Sequence, residues 1–224
     1  MGPVGRVAAH MQVGGHGVVA ARVGRDCPTN LRRTLRPEGE RKQPICLFGG
    51  TFDPVHLGHS HIARAAIREL HLDELIFLPC RQSPHKSGQN HADAAHRLEM
   101  CRIAVQEIPG ARVDDFDLTA PEPCYSWRTA EHMRRCFPDT RLFWLMGTDQ
   151  WQALPRWNRA EHLADLVEFI VFTRGDEPEP RKGFRLHSIQ GDHPASASAI
   201  RKAILQGEES QVKKWINPAV LDYI

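Results

Sequence analysis

Short apolar segments alternate along the chain with longer segments in which apolar residues recur every three or four positions. The short segments, bounded by Gly, Pro or charged residues, predict buried strands. They span 44–50, 74–80, 111–118, 141–147 and 166–173, and a weaker pattern at 184–189 predicts a sixth strand.

The longer segments predict helices. In the first of them, Ile62, Ala66 and Leu70 recur at four-residue spacing and therefore share one face. Ser126 is expected to cap a later helix, and Ser198 is expected to open another. The predicted helices span 58–70, 93–107, 126–136 and 198–206, with a C-terminal piece around 215–221. Strands that alternate with helices favour βαβ units, so we predict an α/β fold with a doubly wound, mainly parallel sheet.

The composition divides the chain at about residue 44. Of 224 residues, 41% are hydrophobic and 25% are charged, and no apolar run approaches the ~20 residues of a membrane helix. Residues 1–44 contain eight Lys or Arg against three Asp or Glu, and no Phe, Trp or Tyr. Such a segment cannot bury much apolar surface, so we expect a poorly ordered basic N-terminal extension ahead of one domain at 45–224. An upstream start codon explains it better than a transit peptide, which would be rich in Ser.

The rest of the chain carries 21 Lys or Arg against 24 Asp or Glu, which indicates a mildly acidic enzyme rather than a nucleic-acid-binding protein. The extension lacks aromatic residues to stack on bases, so it could bind nucleic acid only weakly and in a salt-sensitive way. The six cysteines are scattered and form no C-x-x-C pair. We therefore expect reduced thiols, a cytoplasmic location, and neither a membrane nor a nucleic-acid partner.

The stretch "GGTFDPVHLGHSHIA", which begins at Gly49, joins the first predicted strand to the first helix. Gly49 and Gly50 let a ligand approach the backbone closely, because no Cβ is present. The helix start offers unpaired N–H groups and the positive end of the helix dipole. His56 lies just before this helix and His59 in its first turn. Two imidazole donors at a helix start suit a polyphosphate.

A zinc site is the alternative use of the two histidines. It needs a third ligand, and Asp53, the nearest candidate in sequence, suits phosphate chemistry equally well. Further candidate ligands are Cys80, His85, His91 and His96. The five-residue spacing of the last two does not place them on one helical face. No metal site is therefore predicted.

The stretch "GGTFDPVHLGH" resembles the signature of the nucleotidyltransferases, which include adenylyl- and cytidylyltransferases. Four further stretches are similar, in order, to the bacterial nicotinate-nucleotide adenylyltransferase family. They are "LPCRQSPHK" (78–86), "HRLEMCRIA" (96–104), "MGTDQWQALPRWNRAEHL" (146–163) and "SASAIRKAI" (196–204). The resemblance extends from about Pro44 to the C-terminus.

This resemblance implies a Rossmann-like nucleotidyltransferase fold and a reaction with two small-molecule substrates, ATP and nicotinate mononucleotide. The acceptor phosphate would attack the α-phosphate of ATP and give deamido-NAD and pyrophosphate, a step of NAD biosynthesis. Mg²⁺ would arrive with the ATP. The attacking phosphate is already ionised, so catalysis needs no general base and depends on positioning and charge stabilisation.

The resemblance also implies the roles of individual residues. His56, His59 and Arg201 would be catalytic, acting on the phosphates of ATP. The remaining ATP-binding residues would be Gly49, Gly50, Thr51, Phe52, Lys86, Gly147, Asp149 and Ser198. Nicotinate mononucleotide would contact Ser126, Trp157 and Asn158, with backbone N–H groups receiving the nicotinate carboxylate.

Two stretches depart from the family pattern. In "PCYSWRT" (123–129), Cys124, Ser126 and Arg128 replace the usual Ser, Thr and Asp, and Ala197 replaces a second Ser near the last helix. The alternatives are therefore a related adenylyltransferase that uses nicotinamide mononucleotide or another acceptor, and a nucleotide-binding regulator without turnover. The sequence leaves homo-oligomer formation open.

Overall fold

The computed structural model describes residues 44–81 and 91–224. Six strands form one sheet in the order β3-β2-β1-β4-β5-β6, and all five neighbouring pairs are parallel. The strands are β1 (Ile45–Gly50), β2 (Glu74–Pro79), β3 (Ala111–Val113), β4 (Leu142–Gly147), β5 (Glu168–Thr173) and β6 (Leu186–Gln190). This order reverses direction between β1 and β4, which confirms the predicted doubly wound sheet.

The helices cover both faces of the sheet. They are α1 (Leu57–Glu69), α2 (Ala94–Val105), α3 (Phe116–Thr119), α4 (Ser126–Cys136), α5 (Thr148–Ala153), α6 (Ala160–Leu166), α7 (Ala197–Leu205), α8 (Glu209–Trp215) and α9 (Pro218–Tyr223), with a short 3-10 helix at Leu154–Arg156. Across 44–81 and 91–224, no helix has both the length and the apolar character to cross a bilayer.

Two hydrophobic cores lie on opposite faces of the sheet, because successive strand side chains point in opposite directions. Cys46 and Phe48 of β1 pack in the core that also contains buried residues of α1, α2, α7, α8 and α9. Ile45 and Leu47 pack in the other core, with α4, α5 and α6. Burial on both faces explains why the strands are continuous apolar runs rather than alternating ones.

The sheet opens at its centre, between the carboxyl halves of β1 and β4. β1 pairs with β2 along its whole length, as far as Gly50 opposite Pro79. Its pairing with β4 ends earlier, at Leu47 opposite Trp144. Beyond that pair the two central strands diverge, and such a switch point is where ligands bind in doubly wound sheets.

The third strand is shorter than predicted. It was expected over 111–118, but β3 ends at Val113 and α3 begins at Phe116. The Asp114 carboxylate accepts a hydrogen bond from the Phe116 N–H at 2.9 Å. This local turn competes with extension of the strand.

The residues predicted to cap two helices shift by one or two positions. Tyr125 is the N-cap of α4, so Ser126 is its first helical residue and does not cap it. Ser196 caps α7 and accepts from the Ala199 N–H at 3.2 Å, so Ser198 lies inside the first turn. Ser196 has the N-cap geometry, because its side chain accepts from the N–H three residues later. Ser198 lies two residues too late for this role.

The cysteines follow the prediction only in part. Cys46, Cys80, Cys101 and Cys124 are free thiols, whereas Cys136 is disulfide-bonded. The expectation of reduced thiols is therefore wrong for Cys136, because spacing along the sequence does not show which sulfur atoms the fold brings together.

A charged network lies at the amino ends of β4 and β5, at the end of the sheet opposite to the opening. Arg141 donates to both carboxylate oxygens of Glu168, at 3.1 and 2.8 Å, and His187 Nε2 lies 2.8 Å from the second oxygen. Burial alone would raise the pKa of Glu168, but the hydrogen bonds from Arg141 and His187 outweigh it and lower the pKa to about 2. The ionised carboxylate therefore stabilises the folded chain.

Glu168→Gln should lower the free energy of unfolding at pH 7 by about 1–3 kcal/mol, because hydrogen bonds to a charged partner are lost. The folded pKa lies below the ordinary value of 4.5, so this stabilisation is complete above pH 4.5 and disappears as the pH falls towards 2. Urea unfolding across this pH range should show the difference from wild type shrinking. Glu209→Gln, in an exposed pair with Lys213, is the control and should change stability little. A pH-independent difference for Glu168→Gln would contradict this account.

Candidate active site

The opening between β1 and β4 is a cleft of about 670 Å³. It lies at the carboxyl ends of these strands and between the starts of α1, α5 and α7. Lys86 lies outside the described residues. Twelve residues predicted from the sequence line this cleft: Gly49, Gly50, Thr51, Phe52, His56, His59, Ser126, Gly147, Asp149, Trp157, Ser198 and Arg201.

The two histidines of the glycine-rich loop are held by each other. The His56 backbone N–H donates to His59 Nδ1 at 3.2 Å, and the two rings stack with their centroids 3.7 Å apart. The ring of Phe52 packs against His59 at 5.0 Å between centroids. Because His59 Nδ1 is an acceptor, the proton of the neutral ring is on Nε2. His59 is therefore a positioned hydrogen-bond donor.

His56 is neutral at pH 7. Burial lowers the pKa of its imidazole to about 4, and the charge of Arg174, together with that of His193 when it is protonated, acts in the same direction. Its Nδ1 atom is buried without a hydrogen-bond partner in the described structure. A Cβ at Gly58 would lie 2.9 Å from the His56 ring, so only glycine fits at that position without moving the ring.

Asp53 connects this loop to two other parts of the cleft. Its backbone carbonyl accepts from Arg201 Nη1 of α7 at 2.6 Å, and its carboxylate lies 4.0 Å from the same nitrogen. The other contact of the carboxylate is with His91 Nδ1, at 3.0 Å. The start of α7 and the loop between β1 and α1 are therefore fixed relative to each other.

Arg97 fixes the segments that follow β1 and β2 by hydrogen bonds to their backbone carbonyls. Its side chain is buried, with 1% of the residue exposed, and it donates to the backbone carbonyls of Thr51, Cys80, Arg81 and Ala92 at 2.7–3.0 Å. Backbone carbonyl oxygens thus solvate a buried cation in place of a carboxylate. These four bonds position the segments that form the floor of the cleft.

The other end of the cleft contains Ser126 and Trp157. The Trp157 ring packs edge-on against Trp144 at 6.5 Å between centroids, so it both packs against the sheet and lines the cleft. The backbone N–H groups of Ser126 and Trp127, in the first turn of α4, make no hydrogen bond to another described residue. Together with the helix dipole they form an anion-receptive end.

A buried carboxyl group supports this first turn of α4. Asp117 accepts from Thr129 Oγ1 at 2.6 Å and from Cys124 Sγ at 3.4 Å. Burial raises the pKa of Asp117 to about 6. The substituted "PCYSWRT" stretch is therefore anchored from inside the fold.

Two predicted contacts have a different setting from the one expected. Asn158 is exposed and does not line the cleft; its side chain accepts from Trp127 Nε1 at 3.0 Å. Asp149 lies in the first turn of α5, whose N-cap is Gly147. Asp149 is therefore the second residue of the helix, and it lines the cleft from there.

Several residues of the cleft were not among the substrate contacts predicted from the sequence. Arg174 and His193 line it beside His56, and Asp53, His91 and Asp117 line it elsewhere. The sequence offers one indication that Arg97 is buried: it lies within the apolar helix pattern of 96–104. In 44–81 and 91–224, no group of three or more His, Cys, Asp or Glu is arranged to hold a metal ion.

The chain is similar in sequence to a family of known proteins. A protein-family model described as Cytidylyltransferase-like matches residues 47–203. A relative from Methylacidiphilum infernorum, named "Probable nicotinate-nucleotide adenylyltransferase", is 38% identical over 132 residues, which are 59% of this chain and 65% of that protein. A relative of the same name from Bacillus pumilus is 33% identical over 183 residues, which are 80% of this chain and 94% of that protein.

A solved structure supports the architecture. The "Plasmodium falciparum nicotinic acid mononucleotide adenylyltransferase complexed with APC" has a TM-score of 0.67 and 21% sequence identity, and the match covers 81% of this chain and 94% of that chain. At this identity the likeness shows the fold, and it confirms the Rossmann-like nucleotidyltransferase architecture.

Gly58→Ala should lower turnover by about 100-fold in an adenylyl-transfer assay, the reaction that the resemblance implies. The reason is that the new Cβ displaces the His56 ring. The melting temperature should change little, since alanine is the better helix former. Gly175→Ala is the matched control, because a Cβ there would meet nothing within 4 Å. Wild-type turnover in Gly58→Ala would show that the position of His56 is unimportant.

Proposed function

This chain belongs to the cytidylyltransferase-like family, and on that premise we propose that it transfers the adenylyl group of ATP to nicotinate mononucleotide, releasing pyrophosphate. The observation that carries the proposal is one continuous cleft with two different ends. One end has glycines, imidazoles and the starts of α1 and α7, which suit a triphosphate. The other has an indole face and the unpaired N–H groups of α4, which suit a pyridine ring that bears a carboxylate.

The reaction requires positioning more than proton transfer. A phosphate oxygen of the mononucleotide forms a bond to the α-phosphorus of ATP, and the bond from that phosphorus to the pyrophosphate oxygen breaks. The attacking oxygen is already ionised, so no base is needed. His59 donates from Nε2, and Arg201 and the N–H groups of α1 and α7 offset the negative charge that grows on the leaving group. His56, neutral and fixed beside them, contributes a hydrogen bond rather than a charge.

Other residues of the cleft would bind the nucleosides. Asp149 follows the glycine at the end of β4, where a carboxylate can accept hydrogen bonds from ribose hydroxyl groups. Trp157 offers a flat face for stacking on the pyridine ring. Gly49, Gly50 and Gly147 allow the nucleotides to approach the backbone closely.

A divalent cation accompanies the nucleotide in this family, and we expect it to be Mg²⁺. It would be bound mainly by phosphate oxygens and water rather than by protein carboxylates. Mg²⁺ would lower the charge that the arginines and imidazoles must offset when pyrophosphate leaves.

The acceptor is proposed to be the acid form rather than the amide. A carboxylate can accept from both the Ser126 and the Trp127 N–H groups, whereas a carboxamide would turn its NH₂ group towards one of these donors. Each donor left unpaired costs about 1–3 kcal/mol, which predicts a preference of about 10-fold to over 100-fold. The alternatives remain the amide acceptor and a regulator without turnover, and the assay below separates them.

Some predictions fall outside the structural support for this proposal. Residues 1–43 and Lys86 lie outside the described residues, so the poor order of the basic extension and the contact of Lys86 with ATP stay predictions. The contact of Asn158, the cytoplasmic location and homo-oligomer formation also stay predictions.

The acceptor pocket can be tested through one backbone N–H group. Ser126 is the first helical residue of α4 and follows Tyr125 in an extended conformation (φ −81°, ψ 144°), a setting that tolerates proline. Ser126→Pro removes the N–H, whereas Ser126→Ala keeps it. We expect Ser126→Pro to lower kcat/KM for nicotinate mononucleotide about tenfold and to leave the nicotinamide form nearly unchanged.

Pyrophosphate release from ATP with each mononucleotide measures this difference. Wild type and Ser126→Ala should both prefer the nicotinate form. Equal kcat/KM values for the two acceptors in wild type, or a preference for the amide, would contradict the assignment of this pocket. No release with any acceptor would favour the regulator.

A further inference from the structure

Four imidazoles line the cleft. In two of them Nδ1 accepts a hydrogen bond from the backbone: His59 Nδ1 from the His56 N–H and His193 Nδ1 from the Ala195 N–H, both at 3.2 Å. Protonation of either Nδ1 atom would break that bond. Burial, with Arg174 nearby, keeps His56 neutral at pH 7.

His91 is bonded in the opposite sense. Its Nδ1 atom lies 3.0 Å from Asp53 Oδ2, and an ionised carboxylate can only accept, so Nδ1 carries the proton. The remaining nitrogen, Nε2, can therefore take up a proton without losing any hydrogen bond. Asp53 stabilises the positive ring that results, as a carboxylate does for an imidazolium.

The Nε2 atom of His91 has no hydrogen-bond partner in the described part of the chain, although it is buried. Only 10% of the His91 side chain is exposed, and the residue lines the cleft next to the loop between β1 and α1, which contains Asp53. A buried polar atom without a partner is rare in folded proteins, and in a binding cleft it points to a ligand.

The charges around His91 favour an anionic ligand. Asp53, which bonds the His91 ring, lies 4.0 Å from Arg201, and Arg97 donates to the carbonyl of the adjacent Ala92. Other titratable groups of the cleft lining are Cys80, His56, His59 and Asp117. Of these, Asp53 is the carboxylate that faces the ring, and it is shared with Arg201. A bare Nε2 lone pair would repel a phosphate oxygen, whereas a protonated Nε2 would donate to it a charge-assisted hydrogen bond.

We propose that His91, oriented by Asp53, is a further phosphate-binding residue and that it takes up one proton from solvent at Nε2 when the polyphosphate of ATP binds. This inference rests on the proposed function, because it takes the polyphosphate to be that of ATP. An N–H bond forms at Nε2 as an acid of the buffered solvent gives up its proton, and that proton returns to the buffer when the nucleotide leaves; no other bond changes. ATP should therefore bind more tightly at pH 6 than at pH 8.5.

The test is calorimetric titration of the full-length chain with Mg²⁺–ATP in buffers of different ionisation enthalpy, which counts the protons taken up. Wild type at pH 7 should take up more protons than His91→Gln, whose amide can donate but does not titrate. At pH 6 the variant should bind ATP about tenfold more weakly, and at pH 8.5 the two should be similar. The proton uptake of the variant is subtracted from that of wild type, which removes the protons that the nucleotide itself takes up or releases.

Two further variants complete the design. Asp53→Asn keeps an acceptor for Nδ1 but removes the charge, so it should lower the proton uptake even if His91→Gln does not fold. His96→Gln is the matched control, because His96 bonds Tyr223 at 2.9 Å and does not line the cleft; it should match wild type. Equal proton uptake and an equal pH profile in wild type, His91→Gln and Asp53→Asn would overturn the role of His91 while leaving the proposed function intact. A wild-type chain that does not bind ATP would contradict the proposed function itself.

Discussion

The guanidinium of Arg97 connects the ends of β1 and β2 to the start of α2 through four hydrogen bonds to backbone carbonyl oxygens. Because the group is buried, each bond that is lost would leave part of a positive charge without solvation, so the four carbonyls are strongly fixed in place. One of them belongs to Thr51, the residue that follows the two glycines of β1. The position of the loop between β1 and α1, and therefore of His56 and His59, depends on this buried cation.

In the cleft, the neutral hydrogen-bond donors and the positively charged groups are different residues. The imidazole of His56 is neutral and stacks on that of His59, so the two rings are held in one geometry. Net positive charge comes instead from Arg201 and Arg174, at the edges of the cleft. Donors of this kind need no rearrangement as charge moves onto the leaving group, which is the property that electrostatic catalysis requires. His91 would add a charge that is present only while nucleotide is bound.

Local patterns predicted the sheet well and the long-range contacts poorly. The apolar runs placed β1, β2, β4 and β5 within two residues of their observed bounds, because strands buried on both faces have no polar interruptions. β3 was predicted too long, since the turn at Asp114 depends on one side chain. The short helices α5 and α6 were not predicted, because neither is long enough to show a helical period.

The same contrast holds in the cleft. The loop around His56 could be interpreted from sequence because its glycines, histidines and helix start are adjacent. Asp53 meets His91 and Arg201, which are 38 and 148 residues away in the sequence, so only the fold reveals that contact. The direct test of the central claim compares the products formed from α-labelled and γ-labelled ATP with nicotinate mononucleotide. The account predicts α-label in a dinucleotide and γ-label in pyrophosphate; γ-label on the acceptor, or no label transfer, would contradict it.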